Sequence, residues 1–225
     1  MGEEGVRSCG GHGRRDEDRP FQADLRKYYR ICFRTEAPTA RQKLRLWLTH
    51  YGFHCVAAYR FDRFARRMRQ RSRVLGSAPV AAAAALGHAI ELFHHVRIYA
   101  DIGPGFYIGH VGTIYLGPTT IGRNFSLTHN VTVGFGQTEG AEGTPVIGDD
   151  VWVGTGSVLS GAIHVDDGVT VANGTMLSRS VGPRSLVAGN PGRVVMQNYD
   201  NASLFGEEAP EAAGAAHEAP TAIVR

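Results

Sequence analysis

Aliphatic residues recur every six positions through the second half of the chain. The longest unbroken run comprises Ile147, Val153, Leu159, Val165, Val171 and Leu177. The same spacing occurs earlier in two shorter series, Val96, Ile102, Ile108 and Ile121, Leu127, Val133. An amphipathic helix cannot keep a period of six, whereas a parallel β-helix uses each hexapeptide as one short strand followed by one tight turn. The repeat therefore predicts a parallel β-helix.

Glycine is placed where such a fold needs turns. The chain has 29 glycines in 225 residues, and 19 of them lie between Asp101 and Gly192. This share is well above the usual ~7%, and the absence of a Gly-X-Y period with proline excludes collagen. Glycine permits tight turns and close approach of neighbouring coils. The surplus therefore supports the β-helix.

Two interruptions of the repeat are visible. With three hexapeptides in each coil, residues 18 apart should stack in neighbouring coils, about 4.8 Å from each other. The spacing from Ile108 to Leu116 to Ile121 is eight and then five, and Val133 to Ile147 is fourteen. The second interruption predicts an eight-residue loop, and a long excursion from a regular solenoid is more often functional than decorative.

The rest of the chain differs in pattern and in charge. Residues 1–100 carry 19 Lys+Arg and 9 Asp+Glu, whereas residues 101–225 carry 5 and 12. Helical spacing of Phe53, Val56, Phe64 and Met68, with Pro38 and Pro79 as breaks, predicts about three helices. We expect a flexible tail at 1–19, an α-helical domain at 20–95, the β-helix at 96–196 and a flexible tail at 197–225.

Several protein classes are disfavoured by composition. The three cysteines, Cys9, Cys32 and Cys55, form no Cys-x-x-Cys pair, so neither a zinc site nor a disulfide framework is expected. The N-terminus has no apolar core of a signal peptide. The most apolar run, residues 78–90, is too short to span a bilayer. The sequence predicts a soluble cytoplasmic protein with no transmembrane segment and no nucleic acid partner.

Counting coils places two histidines in line. Ile108, Leu127, Val153 and Val171 should occupy the same face of the prism, and the residues two positions after them are His110, His129, Thr155 and Asn173. A neutral imidazole is the side chain best suited to act as a general base near pH 7. A shared metal would need a third histidine, and Thr155 stands at the matching position, so no metal is expected.

Four segments resemble the hexapeptide-repeat acyltransferases, in particular the serine acetyltransferase-like branch. They are D-I-G-P-G-F-Y-I-G-H-V-G-T-I-Y-L-G-P-T-T-I-G, N-V-T-V-G, I-G-D-D-V-W-V-G-T-G-S-V-L-S-G and V-A-G-N-P-G-R-V-V. The resemblance implies a mainly β protein, a left-handed parallel β-helix with an N-terminal α-helical domain. It also implies a cytoplasmic homotrimer or dimer of trimers that binds acetyl-CoA, its co-substrate, between neighbouring prisms. The nominal acceptor is L-serine, as in cysteine biosynthesis.

The resemblance also implies roles for individual residues. His110 matches the catalytic base and Asp101 the aspartate that pairs with it, while His129 stands beside them as a further catalytic candidate. The alternative for Asp101 is a turn residue before Gly103-Pro104. The proposed cofactor-binding residues are Thr155 and Asn173 for the pantetheine arm, Arg193 for the nucleotide phosphates, and Gly134 and Gly136, whose N–H groups are guessed to bind the oxyanion.

Three positions depart from the family pattern and leave the acceptor open. Gly109 stands where serine acetyltransferases carry an aspartate, and Gly143 and Thr144 stand where they carry arginine and histidine. The alternative acceptor is a sugar or polysaccharide precursor, since the similar branch occurs with capsule genes. A second class remains, a non-catalytic β-helix scaffold whose arginine-rich segment 60–73 binds nucleic acid or an anionic membrane surface.

Overall fold

The computed structural model describes residues 19–136 and 142–206. Four α-helices come first: α1 (Pro20–Phe33), α2 (Ala40–Thr49), α3 (Tyr51–Arg71) and α4 (Arg73–His94). Fifteen short strands follow: β1 (Val96–Ile98), β2 (Asp101–Ile102), β3 (Tyr107–Ile108), β4 (Ile114–Leu116), β5 (Thr120–Ile121), β6 (Ser126–Leu127), β7 (Thr132–Gly134), β8 (Val146–Ile147), β9 (Trp152–Val153), β10 (Val158–Ser160), β11 (His164–Val165), β12 (Thr170–Val171), β13 (Met176–Leu177), β14 (Ser185–Ala188) and β15 (Arg193–Gln197). A 3₁₀ helix, Ala202–Phe205, completes the described part.

The strands form three parallel sheets, which confirms the β-helix. The first sheet has the order β1-β4-β7-β10-β13, the second β2-β5-β8-β11, and the third β3-β6-β9-β12-β14-β15. Among the strands of residues 19–136 and 142–206, only β14 and β15 pair in antiparallel fashion. Val153 pairs with Val171 and Leu159 with Leu177, so residues 18 apart stack as the repeat predicts.

The aliphatic positions of the repeat form the core of the prism. All twelve residues of the three series are buried, with exposed fractions between 0% and 5%. Phe106 and Phe125 stack in the same core at 6.0 Å between ring centroids. Inward-pointing aliphatic side chains at a period of six thus account for the regular part of the fold.

Both interruptions of the repeat are present in the structure. Leu127 pairs with Val153, an offset of 26 residues, because the extra segment lies between β7 and β8. The base of that segment is closed by Gly136 and Gly143, with Gly136 N–H donating to the Gly143 carbonyl at 2.8 Å. The centre of the predicted loop, residues 137–141, lies outside the described residues.

The helical domain has four helices, so the expectation of about three is wrong. Pro79 lies inside α4 and does not end it, although proline removes an intrahelical hydrogen bond. The break lies at Ser72, whose hydroxyl accepts a hydrogen bond from Leu75 N–H at 3.4 Å. A second break lies at His50, between α2 and α3.

The apolar spacing predicts a buried face along α3, and the structure confirms it for the first half of that helix. Phe53 and Val56 are fully buried, whereas Phe64 is 58% exposed. Helix α4 is also largely exposed, since only 11% of its most apolar stretch is buried. By length and composition alone, this helix is long and apolar enough to cross a membrane. Helix α4 extends beyond the apolar run 78–90 at both ends. The expectation that this run is too short to span a bilayer is therefore wrong for the helix as a whole.

Two tyrosines from the helices cover the open edge of the first coil. The Tyr28 hydroxyl donates to the Ile108 carbonyl at 3.1 Å and accepts from Ile108 N–H at 3.0 Å. The Tyr59 hydroxyl donates to the Ala100 carbonyl at 3.1 Å and accepts from Ile102 N–H at 2.9 Å. Unpaired edge groups are a template for aggregation, and the helical domain satisfies them.

A buried ionic cluster completes this cover. Asp24 accepts hydrogen bonds from Gly105 N–H at 2.8 Å, Phe106 N–H at 2.7 Å and Arg60 Nε at 2.6 Å. Burial raises the pKa of Asp24, and Arg60 and the two amide groups oppose that rise. The Lys27 ammonium donates to the Gly105 carbonyl at 3.0 Å. These contacts dock α1 and α3 on the end of the prism.

The segment after the β-helix is ordered as far as residue 206, which corrects the expected tail at 197–225. Phe205 is 2% exposed, packs edge-on against Trp152 at 6.0 Å and lies under the Lys27 ammonium at 4.5 Å. The Asn201 side-chain amide donates to the Asp150 carbonyl at 2.9 Å. One buried aromatic side chain is sufficient to anchor a short segment.

Candidate active site

The turns that lead from the third sheet to the first sheet carry the aligned histidines. These turns comprise residues 109–113, 128–131, 154–157 and 172–175 and are called the histidine edge below. Ile108 pairs with Leu127, Leu127 with Val153 and Val153 with Val171, which confirms that the four preceding strands share one face. The imidazoles of His110 and His129 meet edge-on, with ring centroids 6.0 Å apart.

The two histidines have different surroundings. His110 is exposed, whereas His129 is half-buried. His129 Nδ1 is fully buried and has no hydrogen-bond partner among the described residues. A buried imidazole nitrogen without a partner has an unused capacity to donate or accept at this edge.

Hydrogen bonds link the next two coils along the same edge. The hydroxyls of Thr128 and Thr155 lie 2.8 Å apart, and the Asn173 side-chain oxygen accepts from Thr155 N–H at 2.9 Å. The His129 carbonyl accepts from Gly156 N–H at 3.2 Å. Sequence reasoning found Thr155 and Asn173 from the register but missed Thr128, whose position one residue before His129 was the available signal.

The helical domain holds the strand that leads to His110. The Tyr28 hydroxyl binds both backbone polar groups of Ile108, two residues before His110. Gly52 of α3 lies so close that a β-carbon there would be 2.1 Å from the Ile108 carbonyl oxygen. No sequence signal indicated these contacts, because they join residues more than fifty positions apart.

Asp101 does not pair with His110 in this protomer. It begins β2 in the second sheet, whereas His110 lies in the turn from the third sheet to the first. Its carboxylate forms an ion pair with the Arg63 guanidinium of α3, and the side chain is 65% exposed. Within one protomer the expected dyad is therefore not formed, because β2 places the Asp101 carboxylate at a different corner of the prism, where it pairs with Arg63.

The two glycines proposed for the oxyanion also lie away from the histidine edge of this protomer. Gly134 ends β7 in the first sheet, opposite Ser160 of β10. The Gly136 N–H group donates to the Gly143 carbonyl at the base of the loop, so it has no free hydrogen to offer. The guess for Gly136 is wrong, because loop closure uses the group on which it depended.

Arg193 lies at the opposite end of the third sheet from His110. It is exposed and begins β15, and five strand spacings separate β15 from β3. At ~4.8 Å for each spacing the two ends are about 24 Å apart. A long cofactor stretched along this sheet would therefore have its phosphates and its reactive end at different coils.

The histidine edge has no acidic side chain and no Lys or Arg in any of its four turns. By contrast, the turns from the second sheet to the third contain Arg123, Asp149, Asp150, Asp166 and Asp167. Within residues 19–136 and 142–206, no group of three or more His, Cys, Asp or Glu side chains is placed to hold a metal ion.

The chain is similar to known proteins over most of its length. The serine acetyltransferase of Bacillus licheniformis is 32% identical over 164 residues, which cover 72% of this chain and 72% of that protein. The chain belongs to the serine acetyltransferase family. The Bacillus subtilis serine acetyltransferase is 31% identical over 166 residues, 72% of this chain and 71% of its own length. A soybean serine acetyltransferase solved in complex with serine is 30% identical, with a TM-score of 0.60 over 78% of this chain and 68% of that one.

No protein-family model matches the chain. Membership of the serine acetyltransferase family nevertheless makes the protein an acetyl-CoA-dependent O-acetyltransferase. The identity covers both the helical domain and the β-helix, since 164 aligned residues exceed the length of either part. The non-catalytic scaffold is thereby set aside.

Proposed function

We propose that the histidine edge is the catalytic centre and that His110 is the general base for acetyl transfer to L-serine, the nominal acceptor. The observation that carries the proposal is the placement of exposed His110 against His129, on an edge built from small and neutral side chains. The soybean relative, whose structure holds serine, supports the choice of acceptor.

The reaction requires His110 to accept one proton and then to donate it again. His110 takes the proton from the acceptor hydroxyl while its oxygen attacks the thioester carbonyl of acetyl-CoA. The same imidazolium then returns the proton to the departing CoA sulfur, so the products are the acetyl ester and free CoA. Acid–base help of this kind typically contributes ~10²–10⁴-fold. His129 lies close enough to hold the His110 ring in place.

The co-substrate fits the edge in shape and polarity. Thr155 and Asn173 continue the line from His129, and we assign them to the pantetheine arm, with Arg193 meeting the nucleotide phosphates. Small residues in these turns leave the edge accessible, and Arg193 is exposed at the far end. The neighbouring prism of a homotrimer or dimer of trimers would form the other wall, in the cytoplasm.

A sugar hydroxyl is the second candidate acceptor, and the uncharged edge favours it. Serine carries an ammonium and a carboxylate that require opposite charges when they are removed from water. A β-carbon at Gly109 would have its nearest neighbours at 3.4 Å and 3.6 Å, so the backbone leaves room for a side chain that is not there. At Gly143 the φ angle of +144° disfavours an arginine, so the loop base differs in backbone as well as in charge.

Release of CoA separates the candidates. The wild-type protein is assayed with acetyl-CoA and either L-serine or a panel of nucleotide sugars and glycans. His110→Ala should lower turnover with the true acceptor by ~10²-fold or more. Unchanged turnover in that variant would overturn the catalytic assignment. Gly109→Asp should lower the KM for serine if an ammonium group binds beside His110, and should leave the KM for a neutral sugar higher or unchanged.

A further inference from the structure

The junction between α3 and α4 has an unusual surface. It is defined here as the hairpin tip, residues 66–75. The side chains of Val74 and Leu75 are 83% and 71% exposed, the most exposed aliphatic pair at adjacent positions in the described part of the chain. The same segment carries five exposed arginines: Arg66, Arg67, Arg69, Arg71 and Arg73.

Most of these arginines have no acidic partner nearby. Arg66 pairs with Asp62 at 2.7 Å. The other four form no ion pair with any described residue. Exposed positive charge without local compensation is available to bind an external anion, and guanidinium groups match phosphate oxygens in geometry.

The hairpin tip is held rigidly. Gly76 of α4 packs on α3 so closely that a β-carbon there would lie 2.3 Å from the Arg69 Cα. Ser72 N–H donates to the Met68 carbonyl at 2.9 Å and its hydroxyl caps α4. Because the two helices cross in contact at this point, the arginines and the apolar pair are presented together.

The apolar surface continues along the hairpin. Helix α4 is strongly apolar, yet only 11% of its most apolar stretch is buried. An apolar groove of about 790 Å³ between α3 and α4 is lined by side chains that include Phe61, Phe64, Leu86 and Phe93. An apolar helix that is not buried in its own protein usually meets another apolar phase.

We propose that the hairpin tip docks the protein on anionic phospholipid surfaces, with Val74 and Leu75 inserted among the headgroups and the arginines bound to lipid phosphates. Clusters of basic residues beside exposed apolar side chains are the usual chemistry of peripheral membrane association. Residues 101–196 carry 7 Asp+Glu against 4 Lys+Arg, so this part of the chain has a net negative charge and is not attracted to the same surface.

Charge favours lipid over a second copy at this site. Two copies that met tip to tip would bring eight arginines without acidic partners together in a space from which water is excluded, which is destabilising. A lipid surface supplies the opposite charge and an apolar interior at once. The proposal is independent of which hydroxyl acceptor the enzyme uses.

Flotation of the full chain with vesicles tests the proposal. We expect binding to vesicles that contain phosphatidylglycerol, no binding to pure phosphatidylcholine, and release at about 0.5 M salt, where charges are screened. Each arginine near such a surface contributes about fivefold in affinity. Arg69→Gln, Arg71→Gln and Arg73→Gln together should therefore weaken binding by roughly 100-fold without lowering acetyl transfer.

Helix α2 supplies a matched control with the same change in charge. Arg41→Gln, Lys43→Gln and Arg45→Gln should leave vesicle binding within about threefold of wild type, because net charge alone contributes little beyond a Debye length. An equal loss in the two triple variants would overturn the proposal. So would an active wild-type protein that fails to float with phosphatidylglycerol vesicles.

A variant of the apolar pair distinguishes lipid from a second copy. Val74→Ser with Leu75→Ser should weaken vesicle binding at constant oligomeric mass, measured by light scattering. If this variant instead lowers the oligomeric mass and leaves vesicle binding unchanged, the tip is an interface between copies and the proposal is wrong.

Discussion

Replacement of Tyr28 by phenylalanine tests how the helical domain supports catalysis. The change removes the hydroxyl that donates to the Ile108 carbonyl and accepts from Ile108 N–H, and leaves both backbone groups buried without a partner. Burial raises the pKa of Tyr28 well above its ordinary value, so the hydroxyl keeps its proton and remains a donor. Each unsatisfied buried group costs about 1–3 kcal/mol, so the loss of both contacts in Tyr28→Phe should lower the free energy of unfolding by about 2–6 kcal/mol.

Tyr59 provides the matched control. Its hydroxyl makes the same pair of contacts with Ala100 and Ile102, on the neighbouring strand β2. Tyr59→Phe should destabilise the protein by a similar amount. Only Tyr28→Phe loosens the strand that leads to His110, and small displacements of a reacting group cost up to ~10²-fold in rate. We therefore expect kcat to fall about tenfold or more in Tyr28→Phe and less than about twofold in Tyr59→Phe.

The assay combines urea unfolding, followed by circular dichroism at one protein concentration, with CoA release at a temperature where both variants are folded. Equal kcat values for the two variants would refute the claim that α1 positions the site. A Tyr28→Phe variant with the same free energy of unfolding as wild type would refute the claim that the Tyr28 hydroxyl stabilises the edge of the first coil.

Three further predictions concern the core, a buried thiol and the second histidine. Leu159→Ala, at a fully buried position, should lower the free energy of unfolding by about 2–5 kcal/mol in urea titrations. Burial raises the pKa of the Cys55 thiol to about 12 from 9.0, so stability should fall as pH rises above 9.0 because the unfolded thiol ionises first. Cys55→Ala should remove up to about 1.4 kcal/mol per pH unit of that loss, and an unchanged slope would contradict it. His129→Ala should lower kcat about tenfold at an unchanged melting temperature because the His110 ring loses its neighbour, whereas full activity would contradict a role for His129 in positioning His110.

The regular part of the fold was predictable because one local rule governs it. A side chain at every sixth position must enter the prism, so Leu159 or Val171 could be assigned to the core from spacing alone. The same register placed His110 beside His129. The helical domain was harder, since the apolar spacing that buries Phe53 also includes Phe64, which is 58% exposed. Tertiary context decides such cases.

The parts that were mispredicted depend on contacts between distant segments. The partner of Asp101 is Arg63, 38 positions earlier in the chain, and an ion pair of this kind leaves no periodic signal. The N–H group of Gly136 is used by Gly143 only because the loop closes on itself. The sequence predicted a flexible tail around Phe205, because a single aromatic residue among small and acidic residues does not indicate which part of the protein it packs against.

The position of Phe205 has a consequence for how the molecule unfolds. Repeat arrays of this type lose their end coils first, since each coil touches only its neighbours. Here the chain returns from the last coil, packs Phe205 on Trp152 and reaches Lys27 of α1, which itself covers the first coil. Side-chain contacts thereby connect the segment after the last coil to the helix that covers the first coil. Fraying at either end must break contacts belonging to the other, which favours a single cooperative transition over stepwise peeling.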